Sequence, residues 1–134
     1  MPRKVDTVAR FFRRFVSFST DWKDYEPVLA PEFSQKEFPS PSNPKGSTLN
    51  AAELLKKIGE LRSQLSAQHF EITNHLETDN QVAVEVLWTG LLSSSQRSFK
   101  KGQNIKAYLC MIFEFQGEKI LLQKVYDSHE PVSG

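Results

Sequence analysis

Three polar side chains stand where this sequence otherwise places hydrocarbon: Asn74, Gln123 and Asp127. Each lies in a run of alternating residues, on the side its neighbours mark as interior. Asp127 is the one that ionises. A carboxyl walled by apolar groups has its pKa raised toward neutrality, the usual route to a working general acid or base. Gln123 falls on the same face one step deeper, and Asn74 is placed to orient a ligand carbonyl from another strand. Asp127 also falls at a strand end, where a carboxylate can instead face water and cap a backbone group. Whether it borders a cavity separates the two roles.

The remaining reactive residue types carry less. His69 and His75 lie six apart in one segment, on one face by simple alternation but roughly 20 Å apart at ~3.3 Å per residue, so they cannot share a metal ion. Alternation turns both away from the interior, beside Glu71 and Glu77. His129, two residues past Asp127, could reach the same end of the strand. Cys110 is the single cysteine, so no internal disulfide forms. It sits between Leu109 and Met111 with nothing to lower its pKa, and reads as a structural thiol. The sequence has no glycine-rich phosphate loop, nucleophile elbow or cysteine–histidine metal spacing. No metal and no cofactor is expected.

The elements that must position Asp127 are strands. Gln81–Thr89 sets Val82, Val84, Val86 and Trp88 against Ala83, Glu85 and Leu87, with the period of two that a pleated strand requires. Residues 106–115 set Ala107, Leu109, Met111, Phe113 and Phe115 against Tyr108, Cys110 and Ile112. Before them, Phe70, Ile72, Asn74 and Leu76 share a face. In the last segment Leu121, Gln123, Val125 and Asp127 oppose Ile120, Leu122, Lys124 and Tyr126. Upstream, residues 3–19 form an amphipathic helix striped by Val5, Val8, Phe12, Phe15 and Val16. Asp21 caps a short second helix carrying Trp22 and Tyr25. A short strand covers Phe33–Phe38, and residues 39–48 form a Pro- and Ser-rich loop. Asn50 opens a third helix, with Glu53 three residues on in a capping-box arrangement; Leu54, Leu55, Ile58, Leu61 and Leu65 stripe it.

With 134 residues, the chain fits one domain, 1–134, with a core of its own. Its 17 Lys and Arg offset 16 Asp and Glu, which argues against nucleic acid as a partner. Basic residues gather at Arg3, Lys4, Arg10, Arg13 and Arg14 and at Arg97, Lys100 and Lys101, and read as solvated surface. No stretch reaches the ~18 apolar residues of a membrane span, and no apolar leader follows the N-terminal Arg and Lys; a cytoplasmic protein with no membrane partner is the expectation.

Helix, helix, strand, helix and four strands make an α+β fold: a cone-shaped barrel of three N-terminal helices on a strongly curved, mostly antiparallel sheet. Asp21-Trp22, Leu29 to Phe33, Val82 to Gly90, Gly102, and Gly117 to Ile120 running to Tyr126-Asp127 follow in an order and spacing that resembles the nuclear-transport-factor-2-like superfamily, most closely its SnoaL-like and ketosteroid-isomerase-like branch. The resemblance implies a cavity lined by Val84, Val86, Trp88, Leu109, Met111, Gln123 and Val125. Phe15 and Phe38 complete the apolar wall. It also implies departures. The carboxylate base of ketosteroid isomerases aligns at about Phe38, their protonated central-strand Asp at Met111, and the first helix lacks their tyrosine. Epoxide hydrolases of this fold need a carboxylate at about Val125. Both chemistries are therefore rejected. Some SnoaL-like cyclases use one Asp near the end of the last strand, a part that only Asp127 can fill.

The expectation is thus a small hydrophobic ligand in a cone-shaped cavity, with Asp127 as acid/base of a cofactor-independent isomerase or cyclase. The rival is a non-catalytic binding or assembly module, its cavity filled by Phe12, Phe15, Phe38, Phe70, Trp88, Met111 and Phe113. A cavity of ~300 Å³ or more with Asp127 on its wall favours the enzyme. The opposite sheet face, with Leu87, Tyr108, Cys110, Ile112, Leu122 and Tyr126, is expected to form a homodimer.

Overall fold

A computed structural model describes residues 3–41, 43–93 and 100–129. Arg97 and most of the Ser93–Gly102 turn lie outside the described residues, as does the side chain of His129. Three helices, α1 (Lys4–Val16), α2 (Trp22–Tyr25) and α3 (Ala51–Gln64), pack on six strands. These are β1 (Leu29–Glu37), β2 (Ser47–Asn50), β3 (Leu65–Glu77), β4 (Gln81–Leu92), β5 (Asn104–Gln116) and β6 (Lys119–His129). The sheet runs β2-β1-β6-β5-β4-β3, open at both edges. The β1–β6 pairing is parallel and all others are antiparallel. This is the α+β cone that the alternation and helix order imply.

Local chemistry sets the helix starts. Asp21 accepts from the Lys23 amide at 3.0 Å. Asn50 accepts from Glu53 N at 2.8 Å while the Glu53 carboxylate takes the Asn50 amide at 2.9 Å, a reciprocal capping box. The N-terminus of α1 is tied to the sheet, where Glu77 accepts from Val5 N at 3.1 Å. Amphipathic packing of α1 across the sheet builds the core. Phe11 touches Tyr25, Phe33 and Phe113, with ring centroids 6.1–6.3 Å apart, and Phe12 stacks on Phe70 at 4.7 Å.

Of the register shifts in the sheet, two reassign the faces of residues that alternation places in the interior or outside it. In β3, Ile72 pairs with Val86 but Asn74 pairs with Glu85, so Thr73 is the extra residue. Asn74 therefore turns outward, where it is exposed and donates to the Glu85 carboxylate at 3.0 Å. Leu76 follows it and is 69% exposed, while His75 pairs with Val84. His69 and His75 thus sit on opposite faces rather than one. In β6, Phe115 pairs with Ile120 and Glu114 with Leu122, leaving Leu121 extra. Ile120 consequently points into the core together with Gln123 and Val125, not outward with Leu122.

Three boundaries also move. The first helix ends at Val16. The first strand starts at Leu29, because Ile120 N donates to Val28 O and draws the chain into the sheet there. The Pro-rich stretch is shorter than the sequence suggests, since Ser47–Asn50 pairs with β1 as an edge strand. Gly46 begins that strand's approach with φ +68°, and a Cβ there would lie 2.6 Å from Glu37 O.

Candidate functional site

The concave face of the sheet carries inward residues in successive rows. Gln35 pairs with Gln123, and Gln123 with Phe113. In the next row Glu37 pairs with Val125, and Val125 with Met111. Asp127 then pairs with Leu109, and in the following row Ala107 pairs with Trp88. The Phe11–Phe33–Phe113 cluster closes the floor. Over these rows α1 contributes Phe12 and Phe15, and α3 contributes Leu54, Lys57, Leu61 and Gln64. Between helices and sheet lies a cavity of about 560 Å³.

Of the residues the sequence places here, Phe15, Trp88, Leu109, Met111, Gln123, Val125 and Asp127 line this space. Four others do not reach it, although alternation implies that Val84, Val86 and Asn74 would and the family resemblance implies it for Phe38. Val84 and Val86 are sealed in the core cluster. Phe38 turns to the other side of the sheet, its ring stacked on Tyr126 at 4.3 Å with the Lys36 ammonium over it. Asn74, moved by its bulge, is also outside.

Beside this aromatic floor lies a buried amide pair. Gln35 Nε2 donates to Gln123 Oε1 at 3.0 Å, and Gln123 Nε2 approaches Met111 Sδ at 3.2 Å. Turning both amides over would set Gln123 Oε1 against the thioether sulfur, two acceptors facing each other. The observed sense leaves Gln35 Oε1 buried with no partner among the described residues. On the opposite wall Trp88 is fixed by a relay. Its indole N–H donates to Gln68 Oε1 at 3.1 Å, and Gln68 Nε2 donates to Phe15 O at 3.0 Å. Gly90 leaves room for the ring, since a Cβ there would lie 2.7 Å from it.

Asp127 is not the only charged group on the wall. Glu37 ends β1 on the cavity side, and its carboxylate takes the Lys57 ammonium and, at 3.3 Å, Asn43 Nδ2. Parity counted from the buried Phe33 reaches Gln35 and Glu37; it cannot reach Phe38, which stands three steps from Gln35. A carboxylate, not hydrocarbon, therefore closes the inward row of β1. Lys57 was legible too: it lies three residues after Leu54 and four before Leu61, on the helix's apolar stripe.

Among the described residues, no group of three His, Cys, Asp or Glu side chains could hold a metal ion. No helix of theirs is long and apolar enough to cross a membrane. The arrangement offers an apolar chamber with a carboxyl, an ion pair and an amide pair on its walls, the equipment for holding a largely apolar molecule by a polar end and moving a proton on it.

No curated protein matches the chain in sequence. Many solved structures match it in fold. IdmH of Streptomyces antibioticus, named as a candidate polyketide cyclase, superposes with a TM-score of 0.78 at 14% identity, over 95% of this chain and 93% of that one. A SnoaL-like polyketide cyclase from Agrobacterium tumefaciens gives 0.72 at 8% identity, over 96% and 93%. A nuclear-transport-factor-2-like protein of unknown function from Burkholderia pseudomallei gives 0.74 at 13% identity, over 96% and 92%. At these identities the likeness is one of fold. The family profile described as a SnoaL-like domain matches residues 8–123, and the chain belongs to that family.

Proposed function

We propose that this protein binds a small, largely apolar molecule in the cone cavity and that Asp127 serves there as acid/base for a cofactor-independent isomerisation or cyclisation. The observation that supports this most is an open cavity of about 560 Å³ with Asp127 on its wall. The large inward side chains do not fill it, because Phe12, Phe70 and Phe113 pack against one another and α1 rather than across the space. That volume is within the ~300–1,000 Å³ of small-molecule sites. A half-buried carboxyl beside Leu109 and Val125 suits proton transfer at carbon next to a carbonyl.

The test uses 2-tetralone in deuterated buffer, with α-proton exchange followed by NMR. The wild-type chain is expected to accelerate exchange. Asp127→Asn is expected to abolish the acceleration while retaining binding, since size and hydrogen bonding are kept. Equal acceleration by both chains contradicts the assignment of Asp127. A non-catalytic binding module is then the better reading.

The convex face is proposed as a homodimer surface. Tyr108 and Tyr126 are 51% and 42% exposed, with half-buried Leu87 paired to Tyr108 and half-buried Ile112 and Leu122 further along the same face, and the Phe38 ring extends this apolar patch through Tyr126. Sedimentation at micromolar concentration should give twice the chain mass; a monomer contradicts this.

A further inference from the structure

We propose that Lys57 is the group that receives a ligand's oxyanion in this cavity, and that the ligand's polar end is accordingly an enolisable carbonyl or an acidic hydroxyl. This rests on the cavity being a ligand site. Lys57 is the only cationic side chain among the described residues lining it. It stands between Leu54 and Leu61 on the stripe of α3 that faces the chamber, a place where an ordinary helix puts hydrocarbon. It is also held in position. Glu37 takes the ammonium, Asn43 Nδ2 lies 3.3 Å from Glu37 Oε2 and 3.4 Å from Ser47 Oγ, and three segments of chain thereby fix one cation. An ammonium carries three N–H donors, and Glu37 occupies one of them.

Asp127 lies one row further along the same wall, two residues beyond the Val125 that pairs with Glu37. A proton acceptor and a fixed cation therefore border one space. In the step this supports, the Asp127 carboxylate takes a proton from the carbon next to a carbonyl. The C–H pair becomes the new C=C bond, and the carbonyl π pair moves onto oxygen. Lys57 holds that negative charge until Asp127 returns the proton at another carbon, or until the enolate carbon attacks a second carbonyl, whose π pair moves onto its own oxygen and takes the proton from Asp127. A preorganised donor aimed at developing charge is among the largest single contributions to such a rate.

The other charged side chains on the cavity wall are Glu37 from β1 and Asp127 from β6; among the described residues α1, β3, β4 and β5 contribute none to it. Both carboxylates oppose an incoming anion, so the sign of the effect on a bound acid is decisive. The probe is 4-nitrophenol at saturating protein, titrated by its phenolate absorption. Bound to the wild-type chain, it should ionise about one pH unit below the free phenol. Lys57→Met should remove or reverse that shift, Lys57→Arg should retain it, and Glu37→Gln should deepen it. A bound phenol that ionises at the same or a higher pH in the wild type overturns the proposal, and this reading needs no variant to fold. A downward shift that survives Lys57→Met also overturns it. Absence of saturable binding overturns it together with the cavity reading, whereas binding with an unshifted titration overturns the Lys57 assignment alone.

Discussion

Replacing Met111 by alanine tests whether the cavity is open. Met111 is 4% exposed, and its side chain forms part of both the core and the cavity wall. The substitution removes Cγ, Sδ and Cε. At ~0.8 kcal/mol per buried methylene-sized group the transfer loss is about 2.4 kcal/mol. In a closed core the void left behind adds ~24 cal/mol per Å³, which brings such substitutions to about 3–5 kcal/mol. Here the vacated space joins a chamber that already exists, and water entering it can accept from Gln123 Nε2 in place of the sulfur, so the added cost is small and the expected total is about 2–2.5 kcal/mol. Val84 is the internal control. It pairs directly with Met111 but is sealed in the core. Val84→Ala removes only two methyl groups, about 1.6 kcal/mol of transfer, yet it opens a new void; about 2–2.5 kcal/mol is expected. Three atoms at Met111 should therefore cost no more than two at Val84. Urea denaturation with unchanged m-values provides the measurement. A loss of 4 kcal/mol or more for Met111→Ala, well above the Val84 value, would mean that side chains fill the chamber and would refute the reasoning.

Other consequences can be checked separately. Gly90→Ala places a methyl group against the Trp88 ring; it should shift the Trp88 fluorescence and weaken ligand binding with at most ~1–3 kcal/mol of destabilisation. Asn50→Ala breaks the capping box of α3 and should lower stability by about 1 kcal/mol in denaturant titrations. Tyr25 is buried, with its hydroxyl 2.7 Å from Ser19 O and 3.2 Å from Arg14 O. Burial, and secondarily the Asp24 carboxylate, push its pKa well above the ordinary tyrosine value, against the smaller opposing effect of Arg14. The folded chain thus holds this proton more tightly than the unfolded chain. The stability it contributes is complete below pH ~10 and is lost as the pH rises beyond, at up to about 1.4 kcal/mol per pH unit. Tyr25→Phe should lack that part of the alkaline decline; identical profiles would show that Tyr25 does not cause it.

Much of this arrangement can be read from the residues, and what cannot has identifiable physical causes. Period-two runs in β4 and β5 give the concave face directly, because those central strands pair without interruption from Gln81 to Leu91. Capping residues Asp21 and Asn50 mark the helix starts because their side chains satisfy amides that nothing else in the chain could. Bulges at Thr73 and Leu121 are invisible to alternation. They depend on register against a neighbouring strand, and each reverses every face beyond it, which is why Asn74 and Ile120 exchange sides. Edge strand β2 is four residues long and exists only because β1 offers it a partner. Phe38 shows a different limit. Its size suggests burial, but parity from Phe33 assigns that inward place to Glu37, and an aromatic can be accommodated on the convex side by stacking on Tyr126. Lys57 is legible only from its spacing, three residues after Leu54 and four before Leu61, because a charge there otherwise reads as a boundary of the apolar stripe rather than a member of it.

The central claim is that the cone cavity, with Met111 on its wall, holds a ligand, and one measurement addresses it directly. The chain has two methionines, Met1 and Met111, so methyl-labelled protein gives two methionine signals. Titration with 2-naphthol should shift the Met111 methyl resonance saturably, with one-to-one stoichiometry. A Met111 signal unmoved at saturating probe, or one that drifts without saturating, would contradict the account.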